Sequence, residues 1–290
     1  MKRIIILIPV YNDWDSLKKL INEINENIKD FIDISFECLI INDASTISIP
    51  EIVKPSKFIS IEILNMRENK GHARCNAFGI RYVFENKEFD NLILMDGDGE
   101  DRPVEIKSLV NKINESPNIS VVAKRIKRSE GPFFQLLYQI HKLITFIFTG
   151  KIINFGNYCI LTKKDVGKLY SKASLWSSFS GSVKKHINFL NETNSIRGTR
   201  YFGPSQMSFL KLIIHSLSII AVFKYQVFLR SAFMIIVLAY LNIFVGNISI
   251  FFQILIVIFN LIIFIVSKRE QEKDFLNSHK SLENVKKITY

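Results

Sequence analysis

The 290-residue chain has only three cysteines, Cys38, Cys75 and Cys159, with no Cys-x-x-Cys pair and no regular spacing. This excludes a cysteine zinc site and a disulfide framework, and it fits a reducing compartment. No Gly-x-Gly-x-x-Gly follows the first apolar run and no Gly-x4-Gly-Lys-[Ser/Thr] occurs, so neither a Rossmann dinucleotide site nor a P-loop is expected. Acidic residues are missing altogether from Thr193 to Arg269, a stretch punctuated by Arg197, Arg200, Lys211, Lys224, Arg230, Lys268 and Arg269. The net charge is +11, but the basic residues form neither an arm nor a recognition helix, which argues against nucleic acid. Basic residues flanking apolar spans instead suit an anionic, cytoplasmic membrane surface.

What the chain does have is apolar bulk, 48% hydrophobic residues with 24 Phe. Arg3 to Ile8 reads as a first strand rather than a leader, since its apolar run is very short, lacks a small-residue cleavage site and ends at Pro9. Trp14, Leu17, Leu20, Ile21, Ile24 and Ile28 then recur at helical spacing. Strands are expected at 36–41, 59–64, 91–95 and 119–123. Helices are expected from Asn69 to about Glu85 and from Pro103 onward, where Val104, Ile106, Leu109, Val110 and Ile113 share a face. Strands alternating with helices predict an α/β domain with a mainly parallel, doubly wound sheet, polar turns recurring at one edge.

Ser231–Val245 and Ile248–Val266 are uncharged and apolar, separated by Gly246-Asn247. A span needs about 20 apolar residues, so both are short, but the pair reads as a membrane hairpin. Arg230 before it and Lys268-Arg269 after it put both ends in the cytoplasm. Gly131–Thr149 is apolar apart from Gln135, Gln139 and Lys142 on one face. It reads as a core helix or as one lying against lipid. Phe209–Lys224, with Ser208, Lys211, His215 and Ser218 on its polar side, reads as an interfacial helix. The division is therefore 1–205 catalytic, 206–230 juxtamembrane, 231–267 hairpin and 268–290 a polar tail without a motif. The histidines are scattered singly and read as structural.

The stretch 91–105 joins an apolar strand to Asp96, Asp98, Glu100 and Asp101. Carboxylates that close repel one another unless a cation sits among them. Asp-Gly-Asp at the carboxyl end of a parallel strand offers hard oxygen ligands, and Gly97 and Gly99 leave room for a phosphate. Taken alone, the tripeptide reads more readily as a solvated acidic turn. Taken with Pro9-Val10-Tyr11-Asn12-Asp13 and Asn42-Asp43-Ala44-Ser45, it resembles the family 2 glycosyltransferases of the GT-A fold. Within these it is similar to the dolichyl-phosphate mannose synthases and the bacterial polyprenyl-phosphate glycosyltransferases, over roughly Arg3 to Gln206.

The resemblance implies a GT-A nucleotide-sugar-binding domain followed by interfacial helices and the two-helix hairpin. It assigns Pro9, Tyr11 and Asp13 to the nucleotide pocket, Asp13 standing where the family usually has Glu, and Ile41 and Asp43 to the base and ribose. It gives Asp96, Asp98 and Glu100 to Mg²⁺ or Mn²⁺, with Gly97 beside the diphosphate, and Arg125 to a phosphate. Arg200 matches the Arg of the family's Arg-x-x-Gly-x-Ser-Lys, Gln206 falls on its Lys, and Cys159 falls on the Arg after a Gly-[Ser/Asp]-Phe turn, here Gly156-Asn157-Tyr158.

The expected reaction is metal-dependent, inverting transfer of a sugar from a nucleotide sugar to a polyprenyl phosphate, catalysed through Asp96, Asp98 and Arg125. Arg128, Arg200 and Gln206 would lie at the acceptor phosphate. A hydroxyl acceptor needs a general base, and between Gly131 and Arg200 only Asp165 and Glu192 are acidic. The departures at Gln206 and Cys159 speak for a second reading, a membrane-anchored transferase acting on a hydroxyl of a lipid-linked or surface polysaccharide. A third is a non-catalytic membrane scaffold. Membrane lipid is an expected partner in each case, and a homo-oligomer is compatible with all of them.

Overall fold

The computed structural model describes residues 1–127, 132–203 and 208–288. The elements run β1 (Lys2–Val10), α1 (Trp14–Asn27), β2 (Ile34–Asn42), β3 (Phe58–Met66), α2 (His72–Asn86), β4 (Asn91–Leu94), α3 (Ile106–Glu115), β5 (Val121–Lys127), α4 (Pro132–Thr149), β6 (Phe155–Thr162), α5 (Lys163–Leu169), α6 (Phe179–His186), β7 (Asn191–Ile196), α7 (Phe209–Ala221), α8 (Lys224–Val245), α9 (Asn247–Ser267), α10 (Glu272–Leu276) and β8 (Leu282–Ile288). The strands form one sheet in the order β7-β5-β6-β4-β1-β2-β3-β8. β4, β1, β2 and β3 are mutually parallel, as are β5 and β7, while β6 runs antiparallel to β4 and β5, and β8 runs antiparallel to β3.

The central strands read as continuous apolar runs because both faces of the sheet are covered. Ile4, Ile6, Ile8, Ile40 and Ile93 pack under α1 and α3, and Ile5, Leu7, Leu39, Ile41 and Leu94 pack under α2, α5 and α6. β5 extends past Ala123, where the sequence ended it, because Lys124 and Arg125 pair with Asn194 and Ser195 on β7. Arg125 therefore stands on a strand.

At the membrane end, α8 starts at Lys224 and has 22 residues, about 33 Å at 1.5 Å per residue, which crosses a hydrocarbon core of about 30 Å. Both α8 and α9 are long and apolar enough to span a membrane, and their side chains, such as Phe233, Ile243, Phe244 and Ile265, are exposed. Arg230 is not a flank. It lies within α8, its guanidinium donating to the Ile147 carbonyl at the end of α4 at 3.1 Å. Ile144 and Phe148 of α4 and Leu217 of α7 pack against α8 and α9 around Ile220, Val227 and Ile263, so α4 belongs to the membrane-end cluster. Leu136, Leu143 and Phe146 on α4 and Phe209, Leu210 and Ile213 on α7 are exposed.

The tail is where sequence and structure differ most. After α9 the chain returns to the catalytic domain: Glu270 pairs with Lys224 at 3.1 Å, Phe275 is fully buried among core residues beside Trp176, and β8 extends the sheet. β8 lies at the edge with mostly exposed side chains, so it carries no alternating pattern for a sequence reading to find. Phe275→Ala is expected to cost about 3–5 kcal/mol and to lower the denaturation midpoint of the solubilised protein accordingly. A cost below about 1 kcal/mol would show that the tail is not docked in this way.

Candidate active site

Four polar turns meet at the carboxyl edge of β1, β2, β3 and β4. Asn12 takes a left-handed conformation (φ 53°), and its side chain and backbone bind Ser45, Thr46 and Ile47 of the second turn. The second turn is tied to the third, because both carboxylate oxygens of Asp43 accept backbone N–H bonds, from Lys70 at 2.7 Å and Gly71 at 2.9 Å. Asp43 is thus engaged as a brace. Ile41 is fully buried in the core, so only its backbone faces the edge. Pro9 belongs to the β1–β2 ladder opposite Ile41, and Tyr11 is exposed beyond the strand end.

The fourth turn is the acidic one. Asp96 N–H donates to Asp101 at 2.9 Å and Glu100 N–H donates to Asp98 at 3.0 Å. Gly99 has φ +88°, and a Cβ there would come 2.5 Å from the Tyr201 ring, so only glycine allows this close approach. Cations from separate elements converge on the acids. His72 Nε2 lies 2.9 Å from Asp96, Arg125 lies 3.8 Å from Asp101, and Arg197 pairs with Glu100. Arg200 donates to Asp98 and to Asp13, each at 2.7 Å. The Arg197–Gly203 loop is pinned over the turn by Gly198 N–H to the Glu100 carbonyl (2.8 Å) and Tyr201 N–H to the Asp98 carbonyl (3.0 Å).

Burial, and after it the Asp96 charge, push the Asp98 and Asp101 carboxyls above the usual range. Burial acts the same way on Asp96, but His72, Arg125 and Arg197 outweigh it and hold that carboxyl well below the usual range. His72 is raised: burial lowers it, and Asp96, Asp98 and Asp101 prevail. His215 on α7 feels the same site, its imidazole lowered to about 4 by burial, then by His72, with Asp96 opposing and His141 and Arg125 adding to the fall.

Among the described residues no three His, Cys, Asp or Glu side chains converge as a metal cage. Asp96, Asp98 and Glu100 each already have a cationic partner, His72, Arg200 and Arg197, which a divalent ion bound at the turn would have to replace. One or two carboxylates are what Mg²⁺ ordinarily takes when phosphates supply its other ligands, and the hard-oxygen donor set fits. Arg128 and Gln206 lie outside the described residues. Cys159 is fully buried opposite Leu94, the last residue of β4, so its side chain belongs to the core beneath the acidic turn. Arg200 lies against two carboxylates. Sequence reasoning placed Asp101 in the acidic cluster without a role and missed His72 and Arg197 as its partners. Arg197 could have been found as the other arginine of an acid-free loop, whereas His72 carried no local signal. Asn157, in the turn compared with Gly-[Ser/Asp]-Phe, donates to Asp96 at 3.1 Å.

A sequence model described as Glycosyl transferase family 2 matches residues 5–179. The chain belongs to this family. This family 2 chain is 28% identical over 220 residues to the undecaprenyl-phosphate 4-deoxy-4-formamido-L-arabinose transferase of Salmonella choleraesuis, covering 73% of this chain and 65% of that protein. The Salmonella newport protein of the same name gives the same figures. The match thus spans 65% of the length of these curated relatives. Among solved structures, glucosyl-3-phosphoglycerate synthase from Mycobacterium tuberculosis, in complex with Mn²⁺, UDP-glucose and phosphoglyceric acid, aligns with a TM-score of 0.52 at 13% identity over 78% of this chain and 80% of that one. Its complex with Mn²⁺, UDP and glucosyl-3-phosphoglycerate gives 0.51 at 14% identity over the same shares. At these identities the likeness is one of fold, and the fold is GT-A.

Ala44 is the second non-glycine residue at positive φ (55°) and stands where the family resemblance has glycine. An L-residue in this region is strained. Ala44→Gly is therefore expected to stabilise the chain by about 0.5–1 kcal/mol, a rise of about 1–4 °C in Tm for a domain of this size. A lower Tm would show that the turn is not strained.

Proposed function

We propose that this family 2 glycosyl transferase moves a sugar, with inversion, from a nucleoside diphosphate sugar to a polyprenyl phosphate at the cytoplasmic face of a membrane. The observation that carries the acceptor class is the engagement of both acids expected to be available on the acceptor side. Asp165 is buried, accepting from Ser120 at 2.6 Å and Lys168 at 2.7 Å, near Thr162, which pairs with the first residue of β4, the end opposite the acidic turn. Glu192 pairs with Lys124 at 2.9 Å. A hydroxyl acceptor requires a base. A phosphomonoester, with a second pKa of about 6, is already largely dianionic at neutral pH and attacks the anomeric carbon without one. The phosphate oxygen forms the new bond as the bond from that carbon to the nucleoside diphosphate breaks.

The negative charge growing on the leaving diphosphate is the main barrier, and Arg125 is suited to stabilise it. Asp96 and Asp98 would hold Mg²⁺ or Mn²⁺, which supplies further charge stabilisation when bound. The Mn²⁺ complexes of the fold neighbours support a divalent ion, and the undecaprenyl-phosphate specificity in the relatives' name supports the acceptor class. The hairpin supports a membrane location, since Lys185 holds the Val222 carbonyl at its start (2.8 Å) and Phe275 and β8 dock after its end. A catalytic domain bound at both ends of a hairpin lies on one side of the bilayer, and the basic flanks favour the cytoplasmic one.

Membranes incubated with a panel of labelled nucleotide sugars should yield a lipid-extractable product that mild acid cleaves, as a sugar phosphodiester of a prenol is acid-labile. An acid-stable glycolipid would favour a hydroxyl acceptor. Asp98→Asn keeps the shape and removes a charge. It should cut turnover by about a hundredfold or more and abolish the metal dependence of donor affinity, with the circular dichroism unchanged. Turnover at the wild-type rate with that dependence intact would remove Asp98 from the site.

Topology is testable separately. A cysteine at Asn247 should react with an impermeant thiol reagent applied outside intact cells, and one at Ser281 should react only after permeabilisation. Equal labelling of the two from outside would refute the two-span arrangement.

A further inference from the structure

Three asparagines stand side by side across three neighbouring strands. Asn42 ends β2, Asn65 lies opposite it on β3, and Asn284 lies opposite Asn65 on β8. Their amides are joined in one direction: Asn65 Nδ2 donates to Asn284 Oδ1 at 2.6 Å, Asn42 Nδ2 donates to Asn65 Oδ1 at 2.8 Å, and the Ser45 N–H donates to Asn42 Oδ1 at 3.0 Å. Ser45 Oγ then accepts from the Asn12 N–H at 3.0 Å. Aligned hydrogen bonds of this kind polarise one another.

Asn42 and Asn65 are buried, at 6% and 9% exposure, so each amide group needs a partner. Asn284 is exposed, and the backbone ladder would hold β8 on β3 without any side-chain amide. The series therefore does more than dock a strand. It ends on the turn containing Ala44, whose left-handed conformation is closed by the Asn42 side chain and by the Ala44 N–H to the Asn42 carbonyl at 2.9 Å.

We infer that Asn284, in the segment beyond the membrane hairpin, is a positioning residue for the nucleotide-sugar donor. By orienting the Asn65 amide it orients Asn42, and Asn42 holds residues 42–46 in the shape that receives the nucleoside. This rests on the donor role that the family resemblance assigns to Ile41 and Asp43 at that turn. It makes the tail a working part of the donor site, acting through two side chains, and it makes no demand on the acceptor side.

The test uses the full chain in detergent, with UDP and GDP each titrated calorimetrically in the presence of Mn²⁺, donor and acceptor kinetics, and hydrogen–deuterium exchange over residues 42–47. Asn284→Ala should weaken nucleotide binding and raise the donor KM by about threefold to tenfold, speed exchange over 42–47, and leave kcat and the acceptor KM unchanged. Asn284→Asp, which keeps an acceptor oxygen, should restore both binding and protection. Lys286→Ala, on the same strand and outside the series, should change neither. If the wild type binds UDP or GDP and Asn284→Ala binds it equally well, the inference fails while the donor reading stands. If Lys286→Ala causes the same loss, the effect is strand docking and the inference fails. If the wild type binds neither nucleotide, the donor reading fails and takes the inference with it.

Discussion

The structure depends on the neutralisation of like charges at the end of one strand. Asp96, Asp98, Glu100 and Asp101 crowd six residues after β4, and burial of such a group without partners would be prohibitive. The partners come from far apart in the chain: His72 from the start of α2, Arg125 from β5, and Arg197 and Arg200 from the loop after β7. The observed sheet order is what brings them together at the turn. The interleaving of β6 and β5 beyond β4 is what brings Arg125 beside Asp101, and a glycine at 156 is what leaves room for its guanidinium, since a Cβ there would lie 2.6 Å from Nη2. The topology that buries the apolar core is thus also the one that brings the turn its counter-charges.

The membrane end is joined to this site by packing and by charge. α4 and α7 each present one side to α8 and α9, and His215, on the polar side of α7, lies within the field of His72 and Asp96. The same helices leave Leu143, Phe146, Leu210 and Ile213 uncovered. An apolar surface continuous with a spanning hairpin favours seating in the interfacial region of the same bilayer. On the proposed reading, the lipid acceptor would approach the acidic turn from this surface.

Much of this was legible in the sequence. β1 to β4 and the helices between them were readable because strands buried on both faces and helices buried on one have opposite periodicities. Asp13, Asp43, Asp96 and Asp98 were readable as residues of strand-end turns, and the two long apolar helices were readable from length and lack of charge. The cations of the site were less so. Arg200 was identified, but its partners Asp98 and Asp13 are 102 and 187 positions away, and no local pattern encodes such a contact. His72 looked structural because a lone histidine after a glycine gives no hint that the adjacent parallel strands will set it over Asp96. β8 was invisible for a different reason. An edge strand with exposed side chains needs no hydrophobic alternation, and its place is set by the backbone ladder and the buried Phe275 before it.

Arg200 connects the two accounts of the site. The family resemblance assigns it to an acceptor phosphate, and the structure has it bridging Asp98 and Asp13 through Nη1 and Nη2. A guanidinium recognises a phosphate or a carboxylate through the same fork of N–H donors, and the two ion pairs occupy one N–H on each terminal nitrogen. Five donors are available to an arginine, and Nε of Arg200 has no hydrogen-bond partner among the described residues. Asp98 and Asp13 therefore orient the guanidinium without exhausting it. Since the residues around Arg200 are tied to the acidic turn by the backbone bonds of Gly198 and Tyr201, the loop and the turn hold Arg200 in place together, with donors left over for a phosphate.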